Sequence, residues 1–509
     1  MWSPFRVELR ISLSSLAIIV LLGLSPRPVW GLALTGATPF TETLPAPQFH
    51  GNSFELVTNS RYSVHAGFSA PLPKQVLANV LWAMARVPQF GPYRELYVAL
   101  PDNLYRYQPL TNTLRRHKPD DQRYNSGSAF EVGIAVERHE ECGMLVQAGL
   151  LAATAFWTKE GGTVVSCPVK WAAAHANRDW HPEHPIRMVT VFGNAEAEGL
   201  DTLLVARSSD LSLPDPHVDG ADTLESVLAG LRQDSVFDPT ALSLETISQL
   251  LWAGYGATPR LTIAAQPGLT VPDALGSYFL AGKVYLVRAE GVDRFLSRQP
   301  PEGRLVSPDH RLERLVAGDR RAELTQASNR IPAAAPAYFV VCVADTNSAP
   351  ALQEAGAVAF QLLAQAQALG LAGFVTLPLT RSERRAIAAS LSLPDNNVPV
   401  LVFACGAPAR PVSAAAPDNV QVVRGQPAVR AGILRVEYSL RRAGPVRAEM
   451  FDLLGRPVKL LFEENQSAGY HSVTWDGTDA QGRPVKRGSY ILVISSAGST
   501  AQHKVAWAR

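Results

Sequence analysis

Hydrophobic residues recur with a helical period in two separate stretches of the chain. The first is "PLPKQVLANVLWAMA" at residues 71–85, and the second is "ALSLETISQLLWAGYG" at residues 241–256. Each stretch carries Leu-Trp-Ala near its end and is followed by an alternating apolar run, at residues 94–107 and 281–295. This pattern predicts an amphipathic helix followed by β-structure, twice along the chain.

The two series continue in the same order. A long helix rich in Ala and Leu is predicted at residues 143–156 and again at 356–370. An apolar strand then closes on glycine, "PIRMVTVFG" ending at Gly193 and "VPVLVFACG" ending at Gly406. The repeated order predicts a duplicated α+β domain. Two unrelated α+β domains are the alternative.

The last stretch, residues 446–509, alternates apolar and polar residues with a period of two. The pairs Asp476-Gly477 and Gln481-Gly482 are typical of tight turns, and residues 488–494 open a further strand. The pattern predicts a small all-β sandwich.

The front of the chain has the composition of an export signal. Arg6 and Arg10 precede an apolar run at residues 11–24, which is too short to span a bilayer as a helix. Small residues follow at Gly31 and Ala33, so cleavage is predicted near Ala33. A short buried core helix is the alternative. No second apolar stretch is long enough to predict a transmembrane anchor for the mature chain.

Length and charge narrow the function classes. A chain of 509 residues is expected to hold about three domains. Its 47 Lys and Arg residues nearly balance 45 Asp and Glu residues, which argues against a nucleic-acid or membrane-surface partner.

The cysteines and histidines predict no metal site. The four cysteines, Cys142, Cys167, Cys342 and Cys405, match no zinc spacing. Cys342 and Cys405 lie in apolar runs that predict neighbouring strands, so a disulfide and buried free thiols are both open. In "HANRDWHPEHP" the histidines lack a third ligand at suitable spacing.

The C-terminal residues carry a family resemblance. "FDLLGRPV", "GYHSVTWDGTDAQGRPVKRGSYILVI" and "HKVAWAR" resemble the Ig-like domain of the flagellar hook-capping protein, in the version used as a type IX secretion sorting domain. The resemblance implies passage across the outer membrane to the surface or exterior, with the secretion machinery as partner. A plain structural Ig-like module is the alternative.

Residues 54–410 resemble the nitroreductase superfamily, particularly its peptide-thiazoline dehydrogenase-like branch. The resemblance rests on the segments "SRYSVHAGFSAPLPKQVLANVLWA" and "LYRYQPLTNTL" in the first copy, and on "TVPDALGSYFLAGKVYLV" and "QAQALGLAG" in the second. The resemblance implies FMN at a dimer interface and hydride transfer from a nicotinamide donor to a small electron acceptor. Covalent duplication would make the pair an intrachain pseudo-dimer.

The resemblance also implies cofactor residues, with the flavin phosphate held by an Arg-x-Ser-x-Arg/Lys corner. The first copy offers Arg61, Ser63 and His65, whereas Arg232 of the second copy is followed by Asp234, which would repel phosphate.

A loop of the partner domain completes the family's site, and only the second copy keeps it. The loop residues assigned to cofactor binding are Pro272, Asp273, Ala274 and Gly276. The first copy shortens the loop to residues 88–92. The surviving corner and the surviving loop predict one composite FMN site, and no catalytic residue is assigned.

These features predict an α+β chain in which two nitroreductase-like domains form a pseudo-dimer, followed by an all-β Ig-like sandwich. The predicted segments are a signal peptide (1–33), a linker (34–52), domain one (53–198), a linker (199–221), domain two (222–410), a linker (411–427) and the sorting domain (428–509). Two functions stay open: an exported FMN oxidoreductase, and a non-catalytic binding or structural module.

Overall fold

The computed structural model describes most of the chain beyond the predicted signal peptide. The described residues are 40–49, 51–61, 72–160, 164–194, 213–261, 267–272, 277–298, 308–409, 420–422, 428–430, 433–440, 444–452, 456–466, 469–496 and 499–507. The predicted signal peptide lies outside them. So do Ser63, His65, Asp273, Ala274 and Gly276.

Residues 41–194, here the first half, combine one antiparallel sheet with helices. The strands are β1 (Thr41–Thr43), β2 (Arg94–Ala99), β3 (Asn103–Gln108), β4 (Thr113–Pro119), β5 (Phe130–Val136), β6 (Val164–Val169) and β7 (Ile186–Asn194), and the helices are α1 (Phe54–Ser60), α2 (Lys74–Arg86), α3 (His139–Glu160) and α4 (Lys170–Asp179). Across the sheet the strands run in the order β1-β4-β3-β2-β5-β7-β6. Part of the predicted linker at residues 34–52 thus forms the edge strand β1.

Residues 213–409, here the second half, have the same plan. The helices are α5 (Leu224–Gly230), α6 (Leu244–Tyr255), α7 (Arg321–Ala327), α8 (Ala349–Ala368) and α9 (Arg381–Ser390), and the strands are β8 (Ala257–Leu261), β9 (Pro267–Leu269), β10 (Val284–Arg288), β11 (Gly291–Arg298), β12 (Pro308–Ala317), β13 (Ala337–Val343), β14 (Ala372–Thr376) and β15 (Val398–Gly406). The main sheet has the order β12-β11-β10-β13-β15-β14, and β8 pairs with β9.

The two main sheets share one strand order. Strand for strand, the order β4-β3-β2-β5-β7-β6 corresponds to the order β12-β11-β10-β13-β15-β14. The elements predicted from the two sequence series all form, and the long helices α3 and α8 begin four and seven residues before the predicted starts at 143 and 356. The apolar period does not mark the start of α8, because a polar contact sets it. The Ser348 hydroxyl caps the helix by accepting the Ala351 amide.

Each sheet lies between two hydrophobic layers, as its alternating side chains require. Along β2, Leu96 and Val98 face a core shared by both halves, while Tyr97 and Ala99 face a separate outer core. The shared core holds α3 and α8 and explains why both helices are apolar nearly all round.

The disulfide left open by the sequence does not form. Strands β13 and β15 are neighbours as predicted, but Cys405 pairs with Ala337 and Cys342 pairs with Pro399. Five residues of strand separate the two thiols along the sheet, roughly 16 Å, well beyond disulfide reach. Cys342 and Cys405 are buried free thiols that face different cores.

The C-terminal region is built from β-strands. They are β16 (Val420–Val422), β17 (Ala428–Arg430), β18 (Ile433–Leu440), β19 (Gly444–Asp452), β20 (Pro457–Gln466), β21 (Gly469–Trp475), β22 (Gly488–Ser496) and β23 (Ser499–Trp507). One sheet contains β16, β17, β18 and β21, and the other has the order β20-β19-β22-β23. Residues of both sheets, including Tyr438, Met450, Trp475 and Ile494, pack into one core. Because β16 pairs with β18, this region begins inside the predicted linker at 411–427.

Among the described helices, none combines the length and the hydropathy needed to cross a membrane.

Candidate cofactor site

Arg61 lies at the end of α1, a short helix that begins where the Ser53 hydroxyl accepts the Leu56 amide. The Arg61 side chain is buried, with 3% of its surface exposed. Its Nη2 donates to the carbonyl oxygens of Leu269 (2.8 Å) and Val271 (2.7 Å), and its Nε donates to that of Thr270 (3.2 Å). The arginine of the first half therefore contacts the second half immediately before Pro272, where the predicted loop begins.

Two glutamines that were not among the predicted site residues complete this contact. Gln147 on α3 and Gln361 on α8 both donate Nε2 to the Thr270 carbonyl, at 3.0 and 3.2 Å. Both are fully buried, and their Oε1 atoms have no hydrogen-bond partner within the described structure. A polar residue inside each Ala- and Leu-rich helix was the available signal, because helices buried all round rarely carry an amide without a partner.

The described residues do not fit a flavin phosphate at Arg61. Three of the five guanidinium N–H groups are directed at neutral carbonyl oxygens. A phosphate dianion could reach these N–H groups only by displacing the carbonyl oxygens, and buried carbonyls left without donors are costly. The described contacts of Arg61 therefore support no reaction step on FMN.

The corresponding corner of the second half is closed by main-chain pairing. Arg232 is exposed, whereas the Asp234 amide donates to Gly373 O at 2.9 Å and its carboxylate accepts the Val236 amide. The Asp238 amide then donates to Ala407 O. The Asp234 carboxylate thus closes a turn of the local backbone.

A glutamate on each long helix holds the segment before the central strand. In the first half, Glu141 accepts the Phe90 amide at 3.1 Å and pairs with Arg94, whose Nη2 lies 2.6 Å from Glu141 Oε1. In the second half, Glu354 accepts the amides of Phe279 and Leu280. The repeated Glu-x-Gly at 141–143 and 354–356 was a sequence signal for this pair.

Glu354 also accepts the hydroxyl of Tyr255, and burial raises the pKa of this carboxyl to about 7. Tyr255 is buried beside it, and burial raises the pKa of its phenol well above the usual value. A carboxyl group with a pKa near 7 can both donate and accept a proton at neutral pH, as catalytic acids and bases do. Here, however, the group is fully enclosed and its contacts are structural.

A second titratable cluster lies on the outer side of the first sheet. Oxygen and nitrogen atoms of Glu95, Glu183 and His184 all lie within 4.8 Å of one another. Arg106 bridges the two carboxylates, with N···O distances of 2.6 Å to Glu95 and 2.7 Å to Glu183. The guanidinium already supplies the positive charge that a metal ion would bring, so we assign an ion-pair cluster.

Comparisons with known proteins identify two domains. Residues 232–407 match the model of the Nitroreductase family, and residues 431–499 match that of the FlgD Ig-like domain. The chain therefore contains a nitroreductase family domain and a C-terminal FlgD Ig-like domain. A search of curated proteins finds no significant match.

Solved structures similar to the chain include three oxidoreductase-type proteins. A protein from Anabaena variabilis assigned as a nitroreductase is 12% identical and covers 72% of this chain and 94% of its own, with a TM-score of 0.48. One from Ralstonia eutropha, also assigned as a nitroreductase, is 24% identical over 42% and 97%, with a TM-score of 0.32. The NADPH:FMN oxidoreductase of Vibrio harveyi is 16% identical over 36% and 68%, with a TM-score of 0.23.

Proposed function

We propose that this chain is an exported protein in which a duplicated nitroreductase fold serves as a non-catalytic binding or structural module. The observation that carries the proposal is the environment of Arg61. The residue expected to hold a flavin phosphate is buried and spends three N–H groups on backbone carbonyls of the second half. It joins the two halves, which is a structural use of a guanidinium.

Reciprocal contacts support the duplication and the pseudo-dimer. The Phe54 amide donates to Asp222 O at 3.0 Å, and the Leu224 amide donates to Asn52 O at 2.9 Å. Phe54 and Leu224 open α1 and α5, so the same position of each half makes the same contact to the other. A self-complementary interface of this kind is typical of a two-fold dimer.

The long helices repeat this reciprocity. A Cβ atom at Gly143 would overlap the main chain of Gln353, and one at Gly356 would overlap the main chain of Glu140. Both glycines therefore let the helix backbones touch. Each of the two contacts maps onto the other when the halves are exchanged, which favours one duplicated interface over two unrelated domains.

A flavin oxidoreductase is the second candidate. Nitroreductase family members usually bind FMN, and residues 232–407 match that family. Arg61 also contacts the segment directly before Pro272, so the corner and the loop of the hypothetical composite site adjoin. In that case a small electron acceptor is the substrate, and Arg61 must exchange its carbonyl partners for phosphate.

Export is part of the proposal for both candidates. It rests on the N-terminal signal-like sequence, with cleavage near Ala33, and on the FlgD Ig-like match at the C-terminus. We propose that this C-terminal region engages the secretion machinery as a type IX sorting domain, so that the protein reaches the surface or the exterior.

Flavin retention by the mature chain tests the proposal. The chain from Leu34 to Arg509 is incubated with FMN, freed of unbound ligand, and examined by absorption spectroscopy and urea unfolding. We expect no retained flavin. Arg61→Ala should lower the free energy of unfolding by about 3 kcal/mol, because the carbonyls of Leu269 and Val271 lose their Arg61 donor, whereas Thr270 O keeps the two glutamines. Arg232→Ala, at an exposed position, is the matched control and should change little.

The two candidates give opposite results in this experiment. Retained FMN that is lost in Arg61→Ala, with the unfolding free energy unchanged, would overturn the structural role and favour the oxidoreductase. A colourless protein destabilised by Arg61→Ala and not by Arg232→Ala supports the non-catalytic module.

A further inference from the structure

We propose that the first half carries a binding site for a small ring compound bearing one carboxylate, in a cavity beside α4. The cavity has a volume of about 430 Å³ and lies between the end of β4, the following loop and the C-terminal part of α4. Lys118, Arg123, Tyr124, His175 and Trp180 line it. The volume is that of a site for a small molecule, and the cavity is separate from Arg61 and its partners.

A buried carboxylate on the neighbouring strand β5 holds the loop that forms one wall of the cavity. Glu131 on β5 has no exposed surface and accepts the amides of Tyr124 (2.8 Å) and Asn125 (2.6 Å). A carboxylate is costly to bury unless its hydrogen bonds are made. The Trp180 indole adds a second tie by donating to Gln122 O at 2.9 Å. The wall is therefore already in place before a ligand arrives, which lowers the entropic cost of binding.

The charges around the cavity favour an anion. Asp121 is held by Arg123 through two contacts, at 3.0 and 2.7 Å, and Asp179 is held by Arg178 through two more, at 2.8 and 2.9 Å. The Lys118 ammonium donates instead to a neutral acceptor, the main-chain carbonyl of Asp179, at 2.5 Å. Both carboxylates thus have their own guanidinium, whereas Lys118 keeps a positive charge and further N–H groups for a ligand.

An aromatic surface at the same cavity favours a ring. Tyr124 is 42% exposed, so a ligand in the cavity can reach its ring. Its ring lies beside that of His175, with centroids 5.6 Å apart and planes inclined by 30°. A tyrosine face beside a cation can stack against a flat or sugar ring while the cation binds the carboxylate. Two classes of ligand combine a ring with one carboxylate, namely acidic sugars and aromatic acids.

Calorimetric titration of the full mature chain tests this site. The probes are glucuronate and benzoate, with glucose and benzyl alcohol as their neutral counterparts. We expect saturable binding of one acid, no detectable binding of its neutral counterpart, and at least tenfold weaker binding in Lys118→Gln. Tyr124→Ala should weaken the binding of the same acid by a similar factor. Arg115→Gln, at an exposed position of the same strand outside the cavity, is the matched control and should bind like the unaltered protein.

The acid that binds identifies the source, because glucuronate binding indicates an acidic sugar and benzoate binding indicates an aromatic acid. Urea unfolding confirms that each variant is folded. Binding of neither acid, equal binding of the neutral counterpart, or binding unaffected by both Lys118→Gln and Tyr124→Ala would each overturn the proposal. The outcome is independent of FMN retention, because the variants leave Arg61 and its partners unchanged.

Discussion

The two halves use the same position of their long helix for the same task, but they stabilise the glutamate there differently. Glu141 is paired with Arg94, whose side chain is 11% exposed. Glu354 has no hydrogen-bonded cation among the described contacts and accepts a tyrosine hydroxyl and two amides. The two halves thus share a strand order and the position of this glutamate, while the side chains that contact it differ.

The side chains at the predicted cofactor corner also differ between the two halves. In the first half an arginine ends α1 and enters the interface, whereas the second half turns through Asp234 and leaves Arg232 exposed. The backbone contacts at the two glycines remain reciprocal. The shared features are therefore those of the backbone, and the differences concern charged side chains.

Substitution of the interface glycines is expected to have the largest effect. Gly143→Ala and Gly356→Ala should each lower the free energy of unfolding by about 3 kcal/mol, because the obstacle to the new methyl group is a main-chain carbonyl that cannot rotate away. Urea unfolding measures the loss. Gly444→Ala is the matched control, since a Cβ there meets nothing within 4 Å. A loss in only one of the two variants would contradict the reciprocal interface.

The two glutamates should respond unequally to the same substitution. Glu141→Gln removes the charge that faces Arg94, so the free energy of unfolding at pH 8 should fall by about 2 kcal/mol. Glu354→Gln imitates a protonated carboxyl and should cost little at that pH. Equal losses in both variants, measured by urea unfolding, would show that the two halves do not differ in this way.

The pH dependence sharpens this comparison. Burial raises the pKa of Glu354 from 4.5 to about 7, so the folded state retains a proton that the unfolded chain releases. The stability present below pH 4.5 is therefore lost as the pH rises towards 7. Glu131 has a pKa raised in the same way, to about 7. Glu354→Gln should consequently flatten, without abolishing, the fall in unfolding free energy between pH 5 and pH 8, and an unchanged slope would contradict the assignment.

The smallest expected effect concerns two similar proline-containing segments that lie in the two predicted linkers, 34–52 and 199–221. Asn79 exchanges hydrogen bonds with the amide and carbonyl of Gln48, and Gln249 does the same with His217. The segments read Leu-Pro-Ala-Pro-Gln and Leu-Pro-Asp-Pro-His, and Leu44 and Leu213 are both buried in the shared core.

Asn79→Ala and Gln249→Ala should each lower the free energy of unfolding by about 1 kcal/mol in urea unfolding. Loss at one position only would indicate that just one of the two segments stabilises its half. The repeated Leu-Pro-x-Pro was visible in the sequence, but the predicted linkers at 34–52 and 199–221 concealed it, because proline between polar residues is equally typical of a connection.

The sequence by itself determined the order and type of the main elements. The helices containing Trp82 and Trp252 and the strands predicted to close on Gly193 and Gly406 all form where the apolar period predicts them, with the first strand extending one residue further, to Asn194. The reason is physical, because a helix or strand buried on one face carries that face as a period in nearby residues. The resemblance to the two families rests on the same local patterns; the matches at 232–407 and 431–499 agree with it for the second half and the C-terminal region, and the resemblance of the first half stays a prediction.

Only the tertiary structure decided what the charged and polar residues do. Arg61 meets its carbonyl partners more than 200 positions away, and no local pattern distinguishes an arginine that binds phosphate from one that binds a backbone. The separation of Cys342 from Cys405 likewise depends on strand register, and the cavity at Lys118 depends on a loop held by Glu131 from another strand. Such roles depend on distances between parts of the chain that the sequence leaves unrelated until it folds.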